Sequence, residues 1–397
     1  MPKLSLCMIV QNEAAQLPRC LASVQGWVDE MVIADTGSTD ETVALAQQAG
    51  ARVLQIPWQE DFAGARNQAL AAVEGEWVLV LDADEVFNSP LQATVNQAIA
   101  GDQALVVNLM RQEVGASQSP YSLVSRLFRR HPQLKFNRPY HETIDDSVLA
   151  LLKQEPQWQI ITLPGVAIQH YGYTPENLQA KNKAQRAKVL LTQALQDNPQ
   201  DAYLCSKLGA LLLQLGQEKD GLKLLKQGLK SNQGSVQVRF ELHYHLANAY
   251  KRSGKWELAL KHYQKAINED ILLPLKLGAL NNCGSLLNQL GDYPQAQRIF
   301  EAVVKIDPTF DRGYYNLGLT LKANRNLPAA IQSYKKALEL NPNFAPAHQN
   351  LGVAYFQSGL LAESLAAFKT AIALYEQQHD SNGEKLRQSL QEMGLVE

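Results

Sequence analysis

The stretch Trp77-Val-Leu-Val-Leu-Asp-Ala-Asp-Glu85 runs from five apolar residues directly into a group of three acids. A short, uninterrupted apolar run is typical of a strand that is buried on both faces, as in a parallel sheet. Alternate residues of an extended chain point to the same side, so we expect Asp82 and Asp84 to share one face. The stretch therefore predicts a buried strand that ends in a polar site.

The residues before this stretch alternate between strand-length apolar runs and segments with helical spacing. The predicted strands cover 4–10, 30–34, 52–56 and 77–81, and the predicted helices cover 13–25, 39–48 and 61–73. Such alternation predicts an α/β domain with a parallel, doubly wound sheet. Ligands of these sheets bind beyond the carboxyl ends of the strands. After about residue 102 the pattern becomes strand-rich, with predicted strands at 104–110, 121–128, 158–163 and 166–170.

Composition and motif content exclude several classes of function. The formal net charge of −2 offers no basic footprint for nucleic acid. No G-x-G-x-x-G or Walker-type loop follows the first strand, so nicotinamide dinucleotide and P-loop chemistry are not expected. The four cysteines are scattered and form no zinc or thiol-redox motif. No apolar run reaches the roughly 18 residues that a membrane span needs, so the sequence predicts a soluble, cytoplasmic protein without a transmembrane segment.

A 34-residue spacing organises the second half of the chain. Gly284, Gly318 and Gly352 follow this spacing, and each is followed after 12 residues by a small residue and after 4 more by an aromatic. The small residues are Ala296, Ala330 and Ser364, and the aromatics are Phe300, Tyr334 and Phe368. This pattern resembles the tetratricopeptide repeat, over roughly residues 176–380. Small residues are expected where the helices of a unit approach, with the aromatics filling the gaps between units.

The repeats predict an all-α, superhelical domain over residues 176–397, behind an N-terminal domain of residues 1–175. Segment 384–393 has a more polar face and predicts a C-terminal capping helix. Such repeats offer a concave surface for a peptide or protein, or an arm for self-association, and the sequence is compatible with both. Because repeats of this kind catalyse nothing, any chemistry is expected in the N-terminal domain.

Polar residues at the predicted sheet edge form the first part of a candidate site. Asp35 ends the second strand, where a carboxylate can accept hydrogen bonds from a base or ribose. Ser38 and Glu41 have the spacing of a capping box for the next helix. Asp61 is a predicted N-cap, and Arg66, one turn further on, could hold a phosphate or orient a carboxylate. The alternative is that Ser38, Glu41 and Asp61 only start helices and that Arg66 is a surface arginine.

The acids after the fourth strand predict a metal site. Asp82 and Asp84 would repel each other unless a cation lay between them, and Mg²⁺ or Mn²⁺ would bridge them to a diphosphate. The alternative is a solvated, acidic strand end. Two later strings, Tyr140-His141-Glu142 and His170-Tyr171-Gly172, add histidine and carboxylate groups that are at least as often structural as functional.

Taken in order, these strings resemble the family-2 inverting glycosyltransferases of the GT-A fold. The resemblance rests on Cys7-Met-Ile-Val-Gln-Asn-Glu13, Trp27-Val-Asp-Glu30, Asp35-Thr-Gly-Ser-Thr-Asp-Glu-Thr42, Trp58 to Asn67 and Leu81-Asp-Ala-Asp-Glu85. It covers roughly residues 3–90 and continues more thinly to about 175. Five ordered motifs are far more specific than any one of them. The implied fold is a Rossmann-like, nucleotide-binding sheet.

The resemblance also implies roles for individual residues. Donor-binding roles are implied for Asn12, Glu13, Asp35, Ser38, Asp61, Arg66 and Asp82. The implied metal ligands for Mn²⁺ or Mg²⁺ are Asp82, Asp84 and His170, with Asp84 in the most direct contact. Glu142, beside His141, is the expected general base, because Glu85 follows the metal pair directly and is expected to orient it.

The predicted function is transfer of one sugar from a nucleotide-diphosphate sugar, expected to be UDP-linked, with inversion and metal assistance. The enzyme would be of the hexosyltransferase type. The chain lacks the Gln-x-x-Arg-Trp motif of processive synthases, which favours single addition. The acceptor is a protein or peptide, or a lipopolysaccharide or other glycan. Two alternatives are a nucleotidyltransferase and a non-catalytic repeat scaffold with a nucleotide-binding domain.

Overall fold

The computed structural model describes residues 2–116, 120–140, 142–172, 181–231 and 234–395. The chain forms two compact units, Met1–Gly234 and Ser235–Glu397. The domain boundary predicted between residues 175 and 176 lies outside the described residues. No helix in the described ranges is long and apolar enough to cross a membrane.

An eight-stranded mixed sheet forms the centre of the first unit. Its strands are β1 Leu4–Val10, β2 Glu30–Asp35, β3 Arg52–Gln55, β4 Trp77–Val80, β5 Glu85–Phe87, β6 Ala104–Glu113, β7 Tyr121–Arg129 and β8 Gln159–His170. Their order across the sheet is β3-β2-β1-β4-β7-β6-β8-β5. The first four strands are parallel, and β7 pairs antiparallel with β4. The predicted α/β fold class is confirmed.

Helices pack on both faces of this sheet. They are α1 Leu17–Val24, α2 Thr42–Gln48, α3 Phe62–Ala71, α4 Gln92–Ile99 and α5 Asp145–Gln154. Trp77 and Leu79 of β4 join a core with α1, α2 and α4, whereas Val78 and Val80 join a core with α3 and α5. This alternation is what an extended strand buried on both faces requires. The carboxyl ends of β1, β2 and β4 therefore meet at one edge of a doubly wound sheet.

The structure corrects the starts of two helices. Helix α1 begins at Leu17 instead of residue 13. Helix α2 begins at Thr42 instead of residue 39, and its N-cap residue Glu41 makes no side-chain capping hydrogen bond, so the predicted capping box of Ser38 and Glu41 is wrong. The reason is that the backbone N–H of Ser38 donates to the Asp35 carboxylate, which holds this segment in a loop. The Asp40 carboxylate accepts the backbone N–H of Thr42 instead, at 3.0 Å. Asp61 does occupy the N-cap position of α3, but its side chain makes no capping hydrogen bond.

The remaining helices are paired, as the repeat pattern predicts. They are α6 Lys181–Asp197, α7 Ala202–Gln214, α8 Glu218–Ser231, α9 Val236–Arg252, α10 Trp256–Asn268, α11 Leu277–Gln289, α12 Tyr293–Ile306, α13 Asp311–Ala323, α14 Leu327–Leu340, α15 Ala345–Gln357, α16 Leu361–Gln377 and α17 Asn382–Glu392. Helices α6 to α8 belong to the first unit, and α9 to α17 belong to the second. In the second unit, α17 packs on α16 through Leu386 and Leu390.

The regularly spaced glycines are the points of closest approach between paired helices. A Cβ atom on Gly318 of α13 would lie 2.6 Å from the ring of Tyr334 on α14. Gly352 meets Phe368 in the same way, at 2.7 Å. Each aromatic therefore packs on the glycine of its own helix pair, whereas the sequence predicts these rings in the gaps between units. The correction follows from the glycine, whose missing side chain leaves the space that the ring occupies.

Candidate active site

The loops after β1 and β2 are joined around Asp35. The buried Asp35 carboxylate accepts hydrogen bonds from the backbone N–H groups of Gly37 and Ser38, both at 3.1 Å. Asn12 donates its backbone N–H to Ser38 Oγ (2.9 Å) and accepts from the N–H of Thr39 (2.8 Å). Asn12 has a φ of 57°, in the left-handed region that asparagine tolerates better than most residues. Hydrogen bonds thus join the two loops at the carboxyl ends of β1 and β2, which is where nucleotides bind in such sheets.

Two other predicted donor-site residues lie near helix starts. Glu13 follows Asn12, and its backbone N–H donates to Thr42 Oγ1 (2.8 Å) at the start of α2. Asp61 lies at the start of α3, and its Oδ1 atom is buried without a hydrogen-bond partner among the described residues. A buried oxygen without a hydrogen-bond partner is uncommon in folded proteins. The Asp61 Oδ1 atom therefore points to a hydrogen-bond donor on a bound molecule that would complete its contacts.

Arg66 lies between two carboxylates in the interior. Its side chain is 3% exposed, with Nη2 2.5 Å from Asp82 Oδ1 and Nε 2.5 Å from Glu142 Oε1. Arg126 of β7 approaches the other Asp82 oxygen, with Nη2 2.9 Å from Oδ2. Burial opposes ionisation of Asp82, but the guanidinium groups of Arg126 and Arg66 outweigh it and hold its pKa well below the usual range. Arg66 is therefore not the surface arginine of the alternative hypothesis.

Glu85 fixes the turn that carries Asp82 and Asp84. Its side chain is fully buried, and its Oε2 accepts the backbone N–H of Asp82 at 2.9 Å. Its Oε1 accepts from Arg111 Nη1 of β6 at 2.8 Å. Sequence reasoning missed Arg111 and Arg126. For Arg126, which lies inside the predicted strand 121–128, the arginine in an otherwise strand-like segment is a usable signal, because arginine is rarely buried unpaired.

Asp84 and His170 meet through the pairing of β5 with β8, which places Glu85 opposite His170. Asp84 Oδ2 lies 3.3 Å from His170 Nε2, and Glu113 Oε2 lies 2.5 Å from His170 Nδ1. Burial lowers the pKa of His170, but the two carboxylates outweigh it and raise the pKa to about 9. The geometry thus brings together two residues that are 86 positions apart in the sequence.

The described residues contain no group of three histidine, cysteine or acidic side chains that could hold a metal ion. Asp84 and His170 nevertheless offer an oxygen and a nitrogen 3.3 Å apart, on side chains that are 27% and 19% exposed. This donor pair suits a cation that takes its other ligands from phosphate oxygens and water, as Mg²⁺ and Mn²⁺ do. Both oxygens of Asp82 face arginines. Its direct contact with metal stays a prediction.

The predicted catalytic pair is described only in part. His141 lies outside the described residues. The Glu142 carboxylate is 11% exposed and contacts Arg66, which also contacts Asp82. The structure thus connects Glu142 to the acids after β4 through one guanidinium group.

Comparison with known proteins bears directly on this domain. A family model described as "Glycosyl transferase family 2" matches residues 5–161. A TPR repeat-containing protein of Synechococcus elongatus is 48% identical over 291 residues, which are 73% of this chain and 72% of that protein. Residues 5–161 of the chain belong to glycosyltransferase family 2. Tetratricopeptide-repeat models match residues 178–240, 238–309, 326–359 and 345–378 of this glycosyltransferase. Both resemblances predicted from the motifs are confirmed.

Two further proteins each resemble part of the glycosyltransferase. An uncharacterized glycosyltransferase of Rickettsia felis is 29% identical over 205 residues, which are 49% of this chain and 72% of that protein. The solved structure of MamA from Desulfovibrio magneticus covers 45% of this chain and 96% of its own, with 23% identity and a TM-score of 0.40.

Proposed function

We propose that this glycosyltransferase transfers one sugar from a UDP-linked donor to an acceptor, with metal assistance and inversion at the anomeric carbon. The observation that carries the proposal is the pair of charged clusters at the end of β4. In one, Arg66 and Arg126 flank Asp82, and in the other, Asp84 meets His170. Fixed positive charge and potential metal ligands at this edge of the sheet support the binding of a donor diphosphate there.

Arg66 is suited to contact the donor phosphates. Its Nη1 atom is buried and has no hydrogen-bond partner among the described residues, although its Nε and Nη2 atoms are both paired. A buried N–H group without a partner costs about 1–3 kcal/mol, more if charged. A phosphate oxygen would remove that cost, and guanidinium groups form strong charge-assisted hydrogen bonds with phosphate.

Asp84 and His170 are the proposed holders of Mn²⁺ or Mg²⁺, and binding would release the proton that His170 Nε2 shares with Asp84. The cation would neutralise negative charge on the departing diphosphate. Glu113 contacts His170 Nδ1, so the ring is fixed with Nε2 directed at Asp84. This is the arrangement in which an outer carboxylate orients a metal-binding histidine. Asp82, held by its two arginines, would keep those guanidinium groups in position at the donor.

Glu142 is the proposed general base, with His141 beside it. Its carboxylate shares Arg66 with Asp82 in the structure. A donor that draws Arg66 toward its phosphates would leave the Glu142 carboxylate able to accept the proton of the acceptor nucleophile. Glu142 would then deprotonate the acceptor only when the sugar donor is bound.

The acceptor classes to test are a peptide or protein, and a lipopolysaccharide or other glycan. Stacked helical repeats present extended binding surfaces, which supports a protein ligand or self-association for the repeat helices. All four cysteines are buried and free, in line with the reducing, cytoplasmic location that we propose.

Donor hydrolysis tests the proposal without a known acceptor, because water can replace it. We expect the protein to release nucleoside diphosphate from UDP-glucose, UDP-galactose or UDP-N-acetylglucosamine with Mn²⁺, and a chelator to stop the release. Asp84→Ala should lower the rate about a thousandfold, equivalent to about 4 kcal/mol. Asp102→Ala, which removes an exposed acid outside both clusters, is the matched control.

Each of the other possible outcomes would show that a different part of the proposed function is wrong. Turnover by Asp84→Ala at the rate of the unmodified protein would contradict the metal-ligand role. Release of pyrophosphate in place of nucleoside diphosphate would indicate a nucleotidyltransferase. No release from any donor, with or without acceptors, would favour the non-catalytic scaffold.

A further inference from the structure

We propose that the ion pair between Arg138 and Asp201 positions Glu142, so that the first repeat helices complete the active site. The proposal rests on the function proposed above, in which Glu142 is the base. Arg138 and Asp201 would be positioning residues, since they act on Glu142 and not on the substrate.

The segment that carries Glu142 is a closed loop. Asn137 and Thr143 form an antiparallel bridge, with hydrogen bonds of 2.9 Å and 3.3 Å between their backbone groups. On the side of the sheet, the Pro139 carbonyl accepts the backbone N–H of Phe62 at the start of α3, at 3.0 Å. Glu142 extends from this loop to Arg66. The position of the loop therefore determines where the carboxylate lies.

Arg138 joins this loop to the first repeat helices. Its Nη2 lies 2.9 Å from Asp201 Oδ2, and its guanidinium lies 4.7 Å from the centre of the Tyr203 ring on α7. Its Nη1 lies 2.7 Å from Asp146 Oδ2 at the start of α5. Arg138 and Asp201 are each 12% exposed, whereas Asp146 is 52% exposed. Because solvent screens exposed ion pairs, the Asp201 contact is the stronger of the two.

The backbone of Arg138 supports the same conclusion. Its φ of 75° lies in the left-handed region, which costs an arginine roughly 1–2 kcal/mol. Such a conformation persists where surrounding contacts hold it. The ion pairs of Arg138 are contacts of that kind, and they act at the residue that starts the turn toward Glu142.

Packing holds the loop on one side and charge holds it on the other. Tyr140 packs on a cluster that contains Leu191 of α6 and Leu204 of α7. Beside Arg138 lies a cavity of about 640 Å³ whose lining includes Lys135, Asp146 and Asp201 as well as Leu204. On this side the loop is held through the charged contacts of Arg138, of which the ion pair with Asp201 is the more buried.

Asp201→Asn isolates the ion pair from the helix cap. Asp201 Oδ1 caps α7 by accepting the backbone N–H groups of Tyr203 (2.8 Å) and Leu204 (3.1 Å). Asparagine is an equally good N-cap residue, so α7 should keep its start while the charge at Oδ2 is lost. Asp292→Asn is the matched control, because Asp292 caps α12 and has no ion pair in the described part of the chain.

In the donor-hydrolysis assay we expect Asp201→Asn to lower kcat about tenfold or more. The KM for the donor and the rise in Tm on nucleotide binding should change much less than kcat, because Asp201 contacts none of the proposed donor-binding residues. Asp292→Asn should match the unmodified protein. The double variant Glu142→Gln with Asp201→Asn should be no slower than Glu142→Gln alone, since the effect of Asp201 passes through Glu142.

Two results would overturn the proposal. One is an unchanged kcat for Asp201→Asn. The other is a loss of the same size in the Glu142→Gln background, which would show that Asp201 does not act through Glu142. If the unmodified protein releases no nucleoside diphosphate, the proposed function fails and the catalytic role of the pair fails with it.

Amide hydrogen exchange tests separately whether the ion pair restrains the loop that carries Glu142. Asp201→Asn should speed exchange in the peptide that covers residues 137–143, with β1 and β4 unaffected and Asp292→Asn unchanged. Unaltered exchange at 137–143 would show that the ion pair does not restrain the loop.

Discussion

Arg66 is central to the proposed donor site. It is a buried cation that contacts two carboxylates from distant parts of the chain, Asp82 and Glu142. Taking such charges out of water costs several kcal/mol per ion, and the gain from pairing often only offsets that cost. A buried ionic cluster of this kind is therefore weak evidence for stability and better explained by a role in binding.

Arg66→Met tests this residue. It removes the charge but keeps much of the side-chain volume, so Glu142 loses the partner seen in the structure and Asp82 keeps only Arg126. Leaving a buried carboxylate without its partner should lower the free energy of unfolding by about 3 kcal/mol. We expect a lower Tm and no response to nucleotide. Arg298→Met, at an exposed repeat position, is the control, and equal Tm values for both variants would refute the buried-pair account.

Some site residues could be predicted from sequence and others could not, for a physical reason. Asp35, Asp82 and Asp84 follow apolar strand-length runs, so their position at the sheet edge is a local property. Arg111 and Arg126 lie inside β6 and β7, and they reach Glu85 and Asp82 only when the antiparallel half of the sheet has formed. No spacing rule connects residues across that distance.

Among the secondary-structure elements, the short strand β5 brings Asp84 and His170 of the proposed site together. This strand has three residues, Glu85–Phe87, and pairs with the end of β8. A strand so short leaves no periodic signal in the sequence. Its pairing nevertheless brings Asp84 within 3.3 Å of His170. Strands β1, β2 and β4, by contrast, were predictable because each contains a continuous apolar run.

Gly318→Ala tests how the helix pairs approach. Alanine favours helix by about 1 kcal/mol over glycine, but the added Cβ would lie 2.6 Å from the buried Tyr334 ring. Overpacking of this kind typically costs about 1–3 kcal/mol, so we expect a lower Tm. Combining Gly318→Ala with Tyr334→Leu should recover part of the loss. The control is Gly101→Ala, an exposed position where the nearest atom would be 3.6 Å away. A higher Tm for Gly318→Ala would show that the helices have room to spare.

At the scale of the whole molecule, the first repeat helices and the catalytic sheet form one compact unit. The sequence predicts the two architectures because their periods differ, one alternating between strand and helix and the other repeating every 34 residues. It does not predict their connection. Arg138 and Asp201 are 63 residues apart, and each looks like an ordinary loop or cap residue until the fold places them 2.9 Å apart.

We propose above that this glycosyltransferase binds a nucleotide donor through a metal held at Asp84 and His170. Thermal unfolding tests it most directly, with UDP and UDP-sugars, with Mn²⁺ or a chelator, on the unmodified protein and on Asp84→Ala. A ligand at a hundred times its Kd stabilises the folded state by about 2.7 kcal/mol. We predict a rise in Tm with UDP or a UDP-sugar that needs Mn²⁺ and disappears in Asp84→Ala. An unchanged Tm with every nucleotide, or a rise that persists in Asp84→Ala, would contradict the account.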